Sequence, residues 1–189
     1  MDYKTLQMGG DIIKPIKYHI GEWKALEHLS KSWRWKDNIL DVGCGVGYGV
    51  GMMKLLGFDN VVGIDLNPDK IIVGKRLGYK VFEQDLLDHP VRNYYDVIWC
   101  SHAFEHMQDA TLAIERMKLL TKSNATFFFI LPYPNLDPAP AHTASKQIGL
   151  TVDDKGKTVI QWFESRGLSL NYFKFSKFRE PEIWLELYK

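Results

Sequence analysis

The sequence predicts an α/β protein with a doubly wound, Rossmann-like seven-stranded sheet, mostly parallel with an antiparallel last strand. Two observations carry this prediction. Between residues 38 and 133, short apolar runs alternate with amphipathic stretches, the pattern of parallel strands joined by helical crossovers. The final two apolar runs, at 168–178 and 182–189, are so close in the chain that they can pair only as antiparallel strands.

Each element has its own signal. Apolar side chains at helical spacing predict an amphipathic helix over 21–33, with Trp23, Leu26, Leu29 and Trp33 on one face. Strands are predicted at 38–44, 60–66, 80–86, 94–101 and 125–133. Helices are predicted over 50–56, 67–77, 108–120 and 155–166, and the third of these is expected to turn Leu112, Met117 and Leu120 inward.

The domain organisation is predicted to be simple. Residues 1–35 form an arm and a helix that belong to the same domain and act as a substrate lid, and residues 36–189 form the body of that domain. Residues 134–150 are rich in proline and lack periodicity, which predicts a long loop, and long loops in compact domains are usually functional. We therefore expect the arm and this loop to recognise the substrate.

Composition argues against several classes of protein. The 189 residues carry 24 Lys+Arg against 23 Asp+Glu, a net charge of +1, so general binding to nucleic acid or to anionic membranes is not expected. No apolar run approaches the roughly 18–20 residues that span a bilayer, and the first residues lack the apolar centre of a signal peptide. Cys44 and Cys100, the only two cysteines, cannot form a disulfide framework. We expect a soluble, cytoplasmic protein.

A glycine-rich segment between the first strand and the next helix is the sharpest local signal. In LDVGCGVGYG, residues 40–49, glycine stands at positions 43, 45 and 47, and Asp41 precedes the first of them. Glycine permits positive φ and lets the backbone approach a ligand closely, while the helix that follows directs amide groups toward it. Tyr48 occupies the position where the dinucleotide pattern GxGxxG requires its third glycine. This spacing disfavours a nicotinamide-dependent oxidoreductase.

Two carboxylates follow at the ends of the next two strands. Asp65 ends the second strand, and Asp85 ends the third. Ligands of open α/β sheets bind at the carboxyl ends of the strands, so Asp65 is placed to accept both hydroxyls of a ribose. Asp85 suits the exocyclic amine of adenine, with Leu66 and Leu86 as apolar walls for the ring.

Four segments, DVGCGVGYG, VVGIDLNPD, EQDLL and YDVIWCSHAFEHM, resemble motifs I to IV of class I S-adenosylmethionine-dependent methyltransferases, in the same order. The last matches the S-x-x-x-E-H form of many small-molecule methyltransferases, and the resemblance spans residues 36–189. It implies S-adenosylmethionine as cofactor and transfer of a methyl group to an O or N atom of a small molecule. The residues that it implies for cofactor binding are Asp41, Gly43, Cys44, Gly45, Gly47, Asp65, Leu66, Asp85, Leu86 and Ser101.

Histidines surround the expected reaction centre. His102, Glu105 and His106 follow the fourth strand at i, i+3, i+4 spacing, and His142 lies in the loop after the fifth strand. One interpretation is that Glu105 and His106 only cap and pack the turn. A second makes His102 or His142 a catalytic residue, as general base or as a group that orients the substrate, because a neutral imidazole near pH 7 suits that task.

A third interpretation is a metal site. HAFEH with the distant His142 resembles the ExxEH…H site of small-RNA 2′-O-methyltransferases and the ExxEH of quinone-biosynthesis O-methyltransferases, but His102 stands where those proteins have Glu. The metal candidates are therefore His102, Glu105, His106 and His142, a set that favours a softer divalent ion than magnesium. A metal-assisted RNA 2′-O-methyltransferase is the alternative function, although a divalent metal is not the primary expectation.

Overall fold

Residues 19–90, 92–177 and 181–189 are described by the computed structural model. The strands are β1 (Ile39–Val42), β2 (Val61–Asp65), β3 (Val81–Glu83), β4 (Tyr95–Ser101), β5 (Thr121–Pro132), β6 (Ser169–Ser176) and β7 (Glu182–Tyr188). They form one sheet in the order β3-β2-β1-β4-β5-β7-β6. Strands β1 to β5 pair in parallel, whereas β7 is antiparallel to both β5 and β6. The predicted fold class is confirmed.

Helices cover both faces of this sheet. They are α1 (Ile20–Leu29), α2 (Tyr48–Leu55), α3 (Pro68–Arg76), α4 (Ala110–Leu120), α5 (Thr143–Gln147) and α6 (Lys157–Glu164). The first three pack against one face and share a core around Trp99, whereas the last three share the core of the other face, around Phe129. Burial on both faces explains the continuous apolar runs of the central strands.

Two of the crossover helices begin at side-chain caps that lie next to the carboxyl edge of the sheet. The Asn67 side chain accepts hydrogen bonds from the backbone N–H groups of Asp69 and Lys70, at 3.0 and 3.2 Å, and Pro68 occupies the first turn of α3. Asp109 caps α4 by accepting from the backbone N–H of Leu112 at 2.9 Å. Both helices therefore begin close to the strand ends where a ligand of this fold class would bind.

Two helices differ from the prediction. The helix predicted over 21–33 ends at Leu29 and continues only as a 3-10 turn, Ser30–Ser32. In α4, Met117 and Leu120 are buried as predicted, but Leu112 is 52% exposed. The cap at Asp109 sets the phase of this helix, and in that phase position 112 lies on the solvent face.

The strands also differ in length from the prediction. Strand β3 ends at Glu83, so Asp85 lies in the turn beyond the strand. Strand β5 begins at Thr121 instead of residue 125, and its register with β4 shifts between the pairs Tyr95–Thr121 and Val97–Thr126, so the extra residues lie in β5. The loop predicted over 134–150 contains the short helix α5.

Three predicted segments lie partly outside the described residues: the arm, at 1–18, the strand predicted over 168–178, at its last residue, and the connection after that strand, at 179–180. Among the helices that are described, none combines the length and the apolar character that crossing a membrane requires.

Candidate active site at the carboxyl edge of the sheet

The glycine loop between β1 and α2 has the backbone geometry that its sequence predicts. Gly43 has a φ of 73°, and a Cβ at this position would lie 2.3 Å from the Cβ of Ala103. Gly47, the N-cap of α2, has a φ of 87°, and its Cβ would lie 2.8 Å from Cγ1 of Val81. The N–H of Gly43 donates to the Ile64 carbonyl at 2.8 Å, which ties the loop to β2. Positions 43 and 47 both require a positive φ and leave no room for a Cβ, and only glycine satisfies these two requirements.

Asp65 holds the glycine loop in place. Its Oδ2 accepts a hydrogen bond from the N–H of Gly45 at 2.9 Å, and its Oδ1 accepts from the N–H of Asn67 at 2.8 Å. Each carboxylate oxygen has a further lone pair, so both can accept a second hydrogen bond. Among the described residues, an ideal Cβ at Gly45 would meet nothing closer than the Lys70 side chain at 3.9 Å. Asp65 and Gly45 thus present a hydrogen-bonding edge that no other described residue covers at this point.

Asp41 is buried next to this loop, with 3% of its surface exposed. Burial, and after it the carboxylates of Glu22 and Asp65, raise the pKa of Asp41 well above its usual range. Helix α2 passes close to Asp41 through Gly49, where a Cβ would lie 2.5 Å from the Oδ2 of Asp41. The Oε1 of Glu22 accepts a hydrogen bond from the Trp99 indole at 3.3 Å. Asp41 thus lies where α1, α2 and the sheet meet.

The other residues predicted to bind the cofactor lie at neighbouring strand ends. Asp85 lies in the turn after β3 and accepts the N–H of Leu87 on its Oδ1 at 3.0 Å. Leu86 is buried, and Leu66 is partly exposed beyond the end of β2. Ser101 is the last residue of β4. Cys44 packs against Gly63 of β2, and burial raises the pKa of its thiol well above the usual range, so the thiol is not activated as a nucleophile.

His102 follows β4 directly and lies between two carboxylates. Its Nε2 is 3.1 Å from Oε2 of Glu182, and its Nδ1 is 3.8 Å from Oε1 of Glu105. Desolvation of the ring opposes its charge, but the hydrogen bonds and charges of Glu105 and Glu182 prevail and raise the pKa of His102 to about 10. In this arrangement the ring is an imidazolium at neutral pH, and 47% of the side chain is exposed. A general base needs the neutral form that the sequence interpretation assumed.

Glu182 is a site residue that the sequence analysis missed. It is the first residue of β7, and because β7 runs antiparallel to β5, its start pairs with Pro132 at the end of β5. Its Oε1 accepts a hydrogen bond from the Trp184 indole at 2.8 Å, and the charge of His102 helps to lower its pKa against the effect of burial. The predicted terminal hairpin already contained the signal, since the start of an antiparallel last strand must lie at the carboxyl edge of its parallel neighbours.

Glu105, His106 and His142 form a second cluster. Potential ligand atoms, one from each residue, all lie within 4.8 Å of one another. The rings of His106 and His142 are perpendicular, with centroids 4.5 Å apart. Glu105 is 2% exposed, and its Oε2 has no hydrogen-bond partner among the described residues. Burial lowers the pKa of His106, which favours the neutral imidazole that a metal ion binds. The structure thus brings three of the four metal candidates together, while His102 pairs with Glu182.

His142 also borders the loop predicted to recognise the substrate. Its Nδ1 lies 3.0 Å from Nδ2 of Asn135, which also donates to Oγ of Ser145 at 2.8 Å. A cavity of about 230 Å³ lies beside it; the lining residues are Pro138, Ala139, Pro140, His142, Thr143 and Lys146. Asn135, which the sequence analysis also missed, fixes the orientation of the His142 ring. The loop thus connects a cavity with the Glu105–His106–His142 cluster.

Comparison with known proteins finds a family match and curated relatives. Residues 40–129 match the family described as a methyltransferase domain. A ubiquinone biosynthesis O-methyltransferase of Nitrosomonas europaea is 31% identical over 99 residues, which cover 48% of this chain and 42% of that protein. Ajmaline N-methyltransferase of Rauvolfia serpentina is 31% identical over 137 residues, covering 67% of this chain and 46% of that protein. The chain thus matches somewhat less than half the length of these relatives.

Solved structures share the fold over nearly the whole chain. A SAM-dependent methyltransferase from Aquifex aeolicus has a TM-score of 0.69 at 16% identity, with coverage of 98% of this chain and 96% of that one. Magnesium protoporphyrin IX methyltransferase from Synechocystis, with bound SAM, has a TM-score of 0.70 at 14% identity, covering 100% and 98%. The [4+2]-cyclase SpnF has a TM-score of 0.67 at 12% identity, covering 88% and 80%. At these identities the likeness establishes the fold alone, and the reaction must be argued from the site.

Proposed function

This chain belongs to the class I S-adenosylmethionine-dependent methyltransferase family, and we propose that it transfers the methyl group of that cofactor to an O or N atom of a small molecule. The observation that carries the proposal is the contact between Asp65 and the N–H of Gly45 at 2.9 Å. It joins the acid at the end of β2 to the glycine loop, within the region that matches the methyltransferase domain, residues 40–129. That two of the curated relatives carry the names of an O- and an N-methyltransferase supports this acceptor class.

The residues assigned to cofactor binding fall into groups, and each group suits one part of the cofactor. We assign the methionine part to the backbone of Gly43 and Gly45, the ribose hydroxyls to Asp65, and the adenine ring to Asp85 and Leu86. The remaining assigned residues line or support the site: Asp41, Cys44, Gly47, Leu66 and Ser101. Asp41 belongs to the supporting group because its carboxyl is almost fully buried. When bound, the cofactor supplies an activated methyl group on a sulfonium.

The protein's main contribution to the reaction is alignment of the acceptor with that methyl group, which can be worth ~7–11 kcal/mol. We place the acceptor on the side of His102 and His142, next to the cavity of the 134–150 loop. As an imidazolium, His102 orients an acceptor by its charge and its hydrogen-bond donors. Because its Nδ1 faces the amide donor of Asn135, a neutral His142 carries its proton on Nε2, and in this proposal it orients the acceptor as a hydrogen-bond donor.

A specific observation supports a metal ion as a second element of the site. The Oε2 of Glu105 is buried without a hydrogen-bond partner among the described residues, and the ligand atoms of His106 and His142 lie within 4.8 Å of this carboxylate. One carboxylate and two imidazoles suit a divalent transition metal. These three residues would hold the ion, which would lower the pKa of an acceptor hydroxyl. The alternative function, metal-assisted RNA 2′-O-methylation, would depend on this cluster.

The function is tested by transfer of a labelled methyl group from S-adenosylmethionine into cell extract separated into small molecules, RNA and protein. At a cofactor concentration below its dissociation constant, we expect label in the small-molecule fraction with the wild-type chain and with Asp69→Ala, and roughly ten- to a hundred-fold slower labelling with Asp65→Ala. Asp69 is the matched control because it is an exposed acid four residues further on, in the first turn of α3. Label in the RNA fraction alone would establish the alternative, and no label in any fraction would contradict both.

The metal element is tested by titration with Co²⁺, whose visible absorption reports imidazole and carboxylate ligands. We expect binding by the wild-type chain and by His28→Gln, an exposed histidine on α1, and loss of binding in Glu105→Gln and His142→Gln. Equal spectra for all four chains would refute the metal site and leave the methyl-transfer proposal intact.

A further inference from the structure

The turn after β3 is held from outside by an arginine of α4. Arg116 donates from Nε to the carbonyl oxygen of Leu86 at 3.3 Å and from Nη2 to the carbonyl oxygen of His89. Within the described ranges, no carboxylate lies at ion-pair distance from Arg116. A guanidinium has five N–H donors in a rigid planar arrangement, and here two of its nitrogens donate to two backbone carbonyls of the same turn.

The same turn has a second anchor in His89. This side chain is 6% exposed, and its Nε2 lies 3.3 Å from the hydroxyl of Tyr95, at the start of β4. Two hydrogen bonds within the turn end on Asp85. Its backbone carbonyl accepts from the N–H of Asp88 at 3.2 Å, and its side-chain carboxylate accepts from the N–H of Leu87 at 3.0 Å. These local bonds shape the turn, and at its start the N–H of Gln84 donates to the carbonyl of Asp65 on β2 at 3.1 Å. Arg116 and His89 fix the part of the turn that lies beyond Asp85.

Helix α4 also contacts the loop that borders the acceptor cavity. Gln147 accepts from the N–H of Ala110 at 2.8 Å and donates to the carbonyl of Gln108 at 2.8 Å, so the start of α4 is fixed to the end of α5. Further along α4, Arg116 reaches the turn that carries Asp85. One helix therefore braces both the turn assigned to adenine and the loop assigned to the acceptor.

We propose that Arg116 is a positioning residue for adenine recognition: by gripping the backbone of residues 86–89, it sets Asp85 at the height where its carboxylate meets the exocyclic amine. The hydrogen bonds of Arg116 to the described turn go to backbone carbonyls, and Arg116 has no contact with the cofactor in this proposal. The inference rests on the proposed function, since it takes Asp85 and Leu86 as the adenine site. Without the guanidinium, the turn keeps its internal hydrogen bonds and its tie to β2 at Gln84, but residues 86–89 lose their contact with α4.

The test compares the affinities of two ligands that differ only in the purine. S-adenosylhomocysteine carries the exocyclic amine, and S-inosylhomocysteine carries a carbonyl in its place. Calorimetry of the wild-type chain should give roughly ten- to a hundred-fold tighter binding of the adenosyl compound, the effect of one hydrogen bond to a charged group. We expect this ratio to fall to near one in Arg116→Met and in Asp85→Asn, and to an intermediate value in Arg116→Lys, which keeps the charge but loses the planar arrangement of donors.

The ratio of the two affinities distinguishes a positioning role from a general loss of structure, because partial unfolding weakens the binding of both ligands equally. The matched control is Arg76→Met, an exposed arginine in the last turn of α3, which should keep the wild-type ratio. An unchanged ratio in both Arg116 variants would overturn the inference while the proposed function stands. Equal binding of the two ligands by the wild-type chain would also overturn it. Binding of neither ligand by the wild-type chain would instead defeat the proposed function.

Discussion

The Nε2 atom of His102 lies 3.1 Å from the Oε2 atom of Glu182, 80 residues further along the chain. The pairing of Pro132 with Glu182 across β5 and β7 brings the start of the last strand to the end of the central ones. This contact, together with Glu105, decides the charge of His102 and therefore what the residue can do in a reaction.

The pKa of His102 should be about 10 in the folded protein, against an ordinary value of 6.5. Because the folded state binds the proton of His102 more tightly than the unfolded chain, the charged ring adds to the free energy of unfolding. This contribution is fully present below about pH 6.5 and is lost as the pH rises through about 10. NMR titration in the presence of a chelator should show a charged ring at pH 8, and Glu182→Gln should lower the pKa. Glu164→Gln, which removes an exposed carboxylate on α6 that forms neither a hydrogen bond nor an ion pair with His102, should leave it unchanged. A midpoint near 6.5 in the wild-type chain would contradict the contact.

Asp65→Ala should weaken binding of S-adenosylhomocysteine roughly ten- to a hundred-fold, as expected for the loss of charge-assisted hydrogen bonds. The loop also loses the acceptor for the N–H of Gly45, so both effects point in the same direction. Calorimetry measures the affinity, with Asp69→Ala as the control that should bind like the wild-type chain. NADH should not bind to any of the three. Equal affinity in the wild-type chain and Asp65→Ala would refute the ribose assignment.

Asp41→Asn should stabilise the protein at neutral pH. The pKa of Asp41 in the folded protein is raised well above 3.8 by burial and by neighbouring carboxylates. Above about pH 3.8 the unfolded chain therefore releases this proton more readily than the folded protein, and the free energy of unfolding falls. Asparagine removes this cost and keeps an oxygen acceptor. Thermal unfolding at pH 7 should therefore show a melting temperature higher by at least about 2–4 °C, the shift that ~1 kcal/mol produces in a chain of this size. The advantage should shrink toward pH 4, and a variant that is less stable at pH 8 would contradict this account.

Gly43→Ala should destabilise the protein by about 1–3 kcal/mol more than Gly57→Ala, through overpacking. Both glycines have positive φ, 73° and 94°, so both substitutions carry backbone strain. At Gly43 the new methyl group would collide with a neighbour, since a Cβ there lies 2.3 Å from the Cβ of Ala103, while none of the described residues comes within 4 Å of a Cβ at Gly57. Urea unfolding measures the difference. If both substitutions lowered the free energy of unfolding by the same amount, the glycine loop would have to be able to move away from Ala103, which would contradict this account.

The sequence by itself determined the fold class, the glycine loop and the strand-end position of Asp65. These features depend on local patterns: a strand buried on both faces is continuously apolar, positive φ at a tight turn requires glycine, and Asn67 with Pro68 starts a helix. Such signals lie within a few residues of one another, and the topology follows from their order. The phase of α4 was the exception, because the exposure of Leu112 depends on where the helix begins at Asp109.

Only the tertiary structure decided which charged groups meet. Glu182 reaches His102, Glu22 reaches the neighbourhood of Asp41, and Arg116 reaches the turn after β3. These groups come from elements that are distant in the chain, and a pKa depends on burial and on charges within a few ångströms, whatever their separation in sequence. The sequence could therefore mark His102 as a residue of the site, but its charge is set by two carboxylates that only the folded sheet brings to it.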